Sequence, residues 1–190
     1  MPKIWSDTLA GHRDSVREAI LDAAADLVAD HGLTAVSMSA IAQAGGIGRA
    51  TLYKYFPDVA SILTAWHDRQ VVEHLAELMQ TADRAPDADR LEAVLRAYAH
   101  RNRRDREDHH GADIAASLHA SPGVHQAHQH LAHFISELIA QAAERGEARS
   151  DVPPAELAVY CVNALNGAGV LPSKAAVERL VAVTLAGLRA

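Results

Sequence analysis

Residues 36–56, VSMSAIAQAGGIGRATLYKYF, decide the fold, because they encode two short helices joined by a glycine turn. Ser37 is a suitable N-cap for the first helix, the glycine pair 45–46 ends it, and a second helix is predicted over about 48–55. Such helices cross closely when the first contains a small residue, the turn tolerates positive φ, and apolar residues bridge both helices. The sequence supplies these features as Ala42, Gly46, and then Ile41, Ile47 and Leu52.

The same region is free of acidic residues. No Asp or Glu occurs between His31 and Pro57, although the whole chain has a formal net charge of −6. The cations of the region are Arg49 and Lys54, and Ser39, Thr51, Tyr53 and Tyr55 offer hydroxyl groups. A carboxylate here would repel a polyanion, whereas the free N–H groups at helix starts attract phosphate. The pattern predicts a DNA-binding helix-turn-helix, although the packing alone would also suit a plain helical hairpin.

The rest of the chain is predicted to be helical nearly throughout. Aromatic residues make up 4% of it, and Val and Ile are scattered singly among Ala, Leu, Arg and Glu. We expect an all-α protein of about nine helices, preceded by a loose arm up to His12. Besides the two short helices, the predicted segments are 14–31, 58–80, one from about Leu91, 112–120, one from after 123 to 145, 154–166 and 174–188.

Two domains are predicted, covering residues 1–57 and 58–190, with the boundary at Pro57-Asp58. In the long helix that begins near Asp58, one side carries Ile62, Leu63 and Trp66. Roughly the opposite side carries Val71, Val72, Leu75, Leu78 and Met79. We therefore expect the first half of this helix to pack on the N-terminal domain and the second half on the helices that follow.

Several classes of protein are excluded by the composition. The single cysteine, Cys161, permits no internal disulfide, and no run of about 18 uncharged apolar residues is present to span a membrane. Cys161 falls within a predicted helix without a paired base, no serine lies in a nucleophile elbow, and GGIG lacks a preceding strand. We expect a soluble cytoplasmic protein that has no catalytic activity, no cofactor and no membrane association.

The segment IAQAGGIGRATLYKYF, residues 41–56, followed by Pro57-Asp58, resembles the helix-turn-helix and post-helix segment of the TetR family of bacterial transcriptional regulators. The resemblance covers about residues 16–63. It implies a homodimer in which each subunit has a three-helix DNA-binding domain and a larger helical domain for an effector and for dimerisation. The expected function is that of a ligand-responsive regulator, a repressor that a small molecule releases from a palindromic operator.

The resemblance also implies roles for individual residues of the helix-turn-helix. Arg49 would meet base edges in the major groove, where arginine pairs bidentately with guanine. Ala50 and Thr51 would touch a thymine methyl or a phosphate, and the remaining residues would mainly grip the backbone. The predicted DNA contacts are Ser39, Gly48, Arg49, Ala50, Thr51, Tyr53, Lys54 and Tyr55. Gly48 stands where the family often has Ser, and it still caps the helix at a cost of a few tenths of a kcal/mol. Val59 stands where the family often has Lys, so one phosphate contact is absent and we expect a salt dependence weaker by about one unit per half-site contact.

In the C-terminal domain, the last two helices resemble the pair that forms a four-helix dimer bundle, although their apolar stripes alone suit core and interface equally. The predicted dimer interface consists of Leu157, Cys161, Leu165, Leu180, Thr184 and Leu188. The predicted effector contacts are polar or aromatic residues on or beside inward stripes, namely Tyr98, His128, Phe134, Tyr160 and Asn163. The sequence does not identify the effector.

Two alternative functions remain compatible with the sequence. The chain has 12 histidines, so a metal-responsive regulator is one of them, because histidines spaced i, i+3 or i+4 on a helix can chelate a metal. Four lie on the helix after Pro122 without converging on one face: His125, His128, His130 and His133. Completing a site would require His100, His119 or a carboxylate from another helix, so no metal site is assigned. The other alternative is a noncatalytic helical module for protein interactions.

Overall fold

The structure, a computed structural model, describes residues 3–32, 36–108 and 122–189. Within these ranges the chain forms eight α-helices, a short 3-10 helix at Gly167–Val170 and no strand, which confirms the all-α prediction. The helices are α1 Lys3–His31, α2 Met38–Ala44, α3 Arg49–Tyr55, α4 Val59–Arg84, α5 Arg90–Asp108, α6 Pro122–Glu144, α7 Pro154–Asn166 and α8 Lys174–Leu188. The predicted helix over 112–120 lies outside the described residues. No described helix combines the length and apolar character needed to cross a bilayer.

Helix α1 begins earlier than predicted and ends where predicted. The expected loose arm up to His12 is wrong, because the helix already begins at Lys3. No proline interrupts this segment, and each added residue contributes a helical hydrogen bond, which offsets the cost of about 1 kcal/mol for the single Gly11. Gly32 ends the helix with φ of +75°, and its N–H donates to the Val28 carbonyl at 2.9 Å.

The described chain divides into two compact units, one through Gln70 and the other from Val71 onward. The division therefore lies within α4 and not at the predicted boundary after Pro57. Its cause is that the first half of α4 belongs to the core of the first unit. The buried residues of that core are Ile20, Leu21, Ala23, Ala24, Ile41, Ala42, Leu52, Phe56, Ile62, Leu63 and Trp66.

The second unit is built from the later part of α4, helices α5 to α8 and the 3-10 helix, around a core of its own. From α4 it takes the buried Leu78 and Ala82 and the partly buried Leu75, as expected for the second half of that helix. Two residues of the predicted second apolar stripe are not buried. Val72 and Met79 are 63% and 49% exposed, because the buried side of α4 is narrower than the predicted stripe.

Candidate nucleic-acid interface

Helices α2 and α3 form the predicted helix-turn-helix, and local hydrogen bonds fix its geometry. The Ser37 hydroxyl caps α2 by accepting from the Ala40 N–H at 3.2 Å. Gly46 adopts φ of +62°, which lets the Ile47 N–H donate back to the Ala42 carbonyl at 3.0 Å. The two helices then cross over buried apolar side chains, with Ile41 and Leu52 fully buried.

The outward side of this motif carries most of the predicted DNA contacts. Ser39, Gly48, Arg49, Ala50, Tyr53 and Lys54 are exposed. Thr51 is half-buried, and Tyr55 is partly buried against the core of the first unit. Tyr55 therefore has a packing role in addition to any contact with DNA. The DNA contacts themselves stay predictions.

Arg49 and Ser39 connect the two helices on the exposed side. The Arg49 Nη2 group donates a hydrogen bond to the Ser39 hydroxyl oxygen. A guanidinium has several further N–H donors in a planar fork, so this bond leaves others for a base edge. The Ser39 hydroxyl keeps its own proton, which can be donated to a phosphate oxygen. The pair can therefore act on a duplex together.

Three acids of the first unit are engaged in contacts of their own. Glu18 and Asp22 of α1 form ion pairs with Arg69 of α4 at 2.7 and 2.8 Å. Asp58, the first acid after α3 in the chain, caps α4 by accepting from the Ser61 N–H at 2.8 Å. These contacts occupy the three carboxylates, and α2 and α3 themselves contain no Asp or Glu that would repel a polyanion.

Comparison with known proteins identifies the arrangement. Residues 20–65 match the bacterial regulatory proteins of the tetR family, and residues 108–190 match the C-terminal domain of SbtR-like transcriptional regulators. The chain belongs to the TetR family.

Individual relatives agree with this assignment. The HTH-type transcriptional repressor LfrR from Mycolicibacterium smegmatis is 37% identical to this TetR-family chain over 89 residues, which are 46% of the chain and 43% of LfrR. The match thus spans less than half the length of that relative. A TetR/AcrR-family regulator from Thermobifida fusca superposes with a TM-score of 0.71 and 20% identity, covering 92% of this chain and 98% of its own. A TetR regulator from Streptomyces coelicolor superposes with a TM-score of 0.62 and 26% identity, covering 91% of this chain and 98% of its own.

The effector contacts predicted for this TetR-family chain differ in burial within its second unit. Tyr98 is buried and donates its hydroxyl proton to Asn166 Oδ1 at 2.6 Å, so its polar group is used within the fold. Phe134 is partly buried against the core, whereas His128, Tyr160 and Asn163 are exposed. The effector contacts stay predictions, and for Tyr98 and Phe134 a packing role in the core is added to any contact with an effector. Periodicity could not have separated them, because it assigns a face but not its neighbours.

Among the described residues of the second unit are two open clefts whose linings contain none of the predicted effector residues. The larger has a volume of about 540 Å³ and lies between the end of α6 and the start of α7. Its lining is mostly apolar, with Ala140, Ala143, Val152, Pro153 and Pro154, and the Arg149-Asp151 ion pair lies at its edge. This cleft was not predictable from the sequence, because its lining comes from the end of one helix, the loop that follows and the start of the next helix.

The predicted interface residues of α7 and α8 belong mostly to the protomer's own core. Leu157, Cys161, Leu165, Thr184 and Leu188 are buried, and Leu180 packs against the same core. Burial in the protomer's own core gives these side chains a packing role, and their part in a dimer interface stays a prediction. Other residues of α7 and α8 face outward.

Helices α7 and α8 share one exposed, largely apolar surface, which we call the outer face. It comprises Val159, Tyr160 and Asn163 of α7 with Val183 and Gly187 of α8. Val159, Tyr160 and Val183 are 54%, 41% and 65% exposed. The Tyr160 ring lies over Gly187, where a Cβ atom would come within 2.8 Å of the phenol oxygen. This close approach makes the surface continuous across the two helices.

The described histidines do not form a metal site. Among the described side chains there is no group of three or more His, Cys, Asp or Glu residues that could hold a metal ion. His100 instead pairs with Glu178 at 2.6 Å, and His133 pairs with Glu137 of the same helix at 3.4 Å. His119 and the side chain of His125 lie outside the described residues.

The one cysteine has the properties of a core residue. Cys161 is fully buried in the second unit, and burial raises the pKa of its thiol to about 12. Thiolate is the nucleophilic form of cysteine, and this pKa leaves almost none of it near neutral pH. The residue thus packs as a small apolar group.

Proposed function

We propose that this chain is a DNA-binding transcriptional regulator that acts as a repressor in the cytoplasm and has no catalytic activity. The observation that carries the proposal is the acid-free, exposed side of a helix-turn-helix that presents Arg49 and Lys54. The name of LfrR, a transcriptional repressor that is 37% identical over 89 residues, supports the same function. Phosphate contacts would supply most of the affinity, and Arg49 would read a base edge.

We further propose that the regulator is a homodimer joined through the outer face of α7 and α8. An exposed apolar surface of this kind is typical of an association site. An isologous two-fold contact would place two copies of α3 about one helical turn of DNA apart, roughly 34–36 Å. The operator would then be close to palindromic.

Release by a small-molecule effector is the third part of the proposal. Helix α4 is continuous from Val59 to Arg84 and contributes buried residues to both cores. An effector that binds the second unit can therefore change the position of α4 in the first. The loss of operator affinity equals the difference between the effector's affinities for the two states, typically about 1–3 kcal/mol.

A gel-shift titration on the region upstream of the protein's own gene tests DNA binding. We expect a retarded complex whose affinity falls steeply as salt rises, and footprinting should then locate the palindrome. If the protein retards no duplex even at the lowest ionic strength, the proposed function is wrong.

The effector proposal has its own test. Compounds that raise the thermal unfolding midpoint are selected first, because a ligand of the folded state stabilises it. Operator affinity is then measured with and without each compound. An affinity that is unchanged by every stabilising compound would count against ligand-controlled release, while leaving DNA binding intact.

A further inference from the structure

Arg17 lies on α1, before the matched segment 20–65, and it contacts the end of the recognition helix α3. Its guanidinium lies over the ring of Phe56, with 5.1 Å between the guanidinium carbon and the ring centroid. Phe56 is the C-cap of α3 and is buried, and its N–H donates to the Leu52 carbonyl at 3.0 Å. A cation from a different helix is thereby held at the C-terminal end of α3.

The charged residues of α1 are sorted onto different sides of the helix. Arg17 shares the side of Ile20, Leu21 and Ala24, which are three, four and seven residues further on and are buried in the core of the first unit. Glu18 and Asp22 lie roughly 100° or more around the helix, where both pair with Arg69 of α4. Glu18 and Asp22 thus face α4, while Arg17 reaches α3.

The contact with Phe56 orients the guanidinium without using up its hydrogen bonds. A cation above an aromatic ring is attracted by the negative charge of the ring face, so the planar fork of N–H groups keeps its outer edge available. Arg17 is exposed, so that edge is open to a ligand. A phosphate group is the ligand that this planar fork fits best.

The length of α3 is suited to the width of a DNA groove. Helix α3 has seven residues and is therefore about 10 Å long, which is close to the roughly 12 Å width of the major groove. Arg49 is at its first residue and Arg17 is held at its last turn. We propose that Arg17 binds a DNA phosphate and thus extends the DNA interface from the helix-turn-helix onto α1. This inference rests on the proposed function.

The test compares salt dependence, because a phosphate contact releases counterions and a packing contact does not. The variants are R17M, which keeps the length and apolar stem of the side chain, and R17K, which keeps its charge. Binding to a mixed-sequence duplex of about two helical turns, roughly 20 base pairs, is measured over several salt concentrations. For R17M we expect a plot of log affinity against log salt that is less steep by about 0.9 per bound subunit. R17K should restore most of that slope.

Arg84 provides the control, since it is an exposed arginine on α4 in the second unit. R84M removes the same charge and should leave the salt slope unchanged. Thermal unfolding of every variant separates a folding defect from lost contact. An R17M slope equal to that of the wild type, with intact wild-type binding, would overturn this inference alone. Wild-type protein that binds no duplex would instead overturn the proposed function.

Discussion

At the scale of single residues, Arg49 and Lys54 are both exposed cations on α3, but we expect them to have different roles in DNA binding. If Arg49 pairs with a guanine, R49A removes about 1–3 kcal/mol of discrimination at one base position. K54A should weaken binding to all sequences alike and reduce the salt slope by about one unit per contact. Binding of both variants to a set of single-base operator variants checks this difference. Equal relaxation of sequence preference by the two substitutions would contradict it.

Gly46 and Gly167 allow a matched test of backbone strain. A Cβ atom at either position would meet nothing within 4 Å, so neither substitution creates a clash. They differ in backbone conformation, since φ is +62° at Gly46 and −61° at Gly167. G46A should lower the free energy of unfolding by about 1–2 kcal/mol, whereas G167A should be neutral or stabilise by up to roughly 1 kcal/mol. Urea unfolding of both variants measures the change in the free energy of unfolding. Similar changes for G46A and G167A would reject the conformational explanation.

At the scale of elements, Glu178 of α8 joins that helix to α5. Its carboxylate pairs with His100 Nε2 at 2.6 Å and with Arg96 Nε at 3.1 Å. The hydrogen bond from His100 lowers the pKa of Glu178 below its ordinary value of 4.5. A carboxyl group with a lowered pKa in the folded state stabilises that state above the unfolded pKa. This contribution is lost as pH falls through the folded pKa.

We therefore expect E178Q to lower the free energy of unfolding near neutral pH, by less than about 1 kcal/mol for so exposed a pair. The difference from wild type should shrink below the ordinary glutamate pKa of 4.5 and vanish in stronger acid. Urea unfolding across a pH series provides the measurement. E137Q, which removes a carboxylate paired within α6, is the control and should have a smaller effect. A difference that persists unchanged into acid would contradict this account.

At the scale of the whole molecule, the outer face of α7 and α8 is the surface through which we expect two copies to associate. V183E would bury an uncompensated charge in that contact, at a cost of about 3–5 kcal/mol. M79E introduces the same charge at an exposed apolar residue of α4, outside the outer face, and serves as the control. Sedimentation should show monomers for V183E and dimers for M79E and the wild type. Dimers that survive V183E would place the interface elsewhere.

Assembly and DNA binding are linked at this scale. Two half-sites one turn apart are bound together only if the subunits are joined, so monomeric V183E should also lose most of its operator affinity while keeping non-specific binding.

Much of the fold was predictable from local chemistry. The cap at Ser37, the turn at Gly46 and the end of α1 at Gly32 depend on residues within a few positions of each other, and the structure confirms all three. The exposed cations of the helix-turn-helix were predictable for the same reason. The expected arm before His12 failed because the start of a helix without a strong cap or breaker has no local signal.

The sequence by itself determined that this protein is all-helical and that it contains an acid-free helix-turn-helix, since hydrogen bonds and helical periodicity act over one or two turns. Only the tertiary structure decided which apolar stripes of α7 and α8 are core and which form the outer face. It alone brought Arg17 to Phe56, and Glu178 to His100. These decisions depend on contacts between residues far apart in the chain, and the burial of a side chain depends on what packs against it.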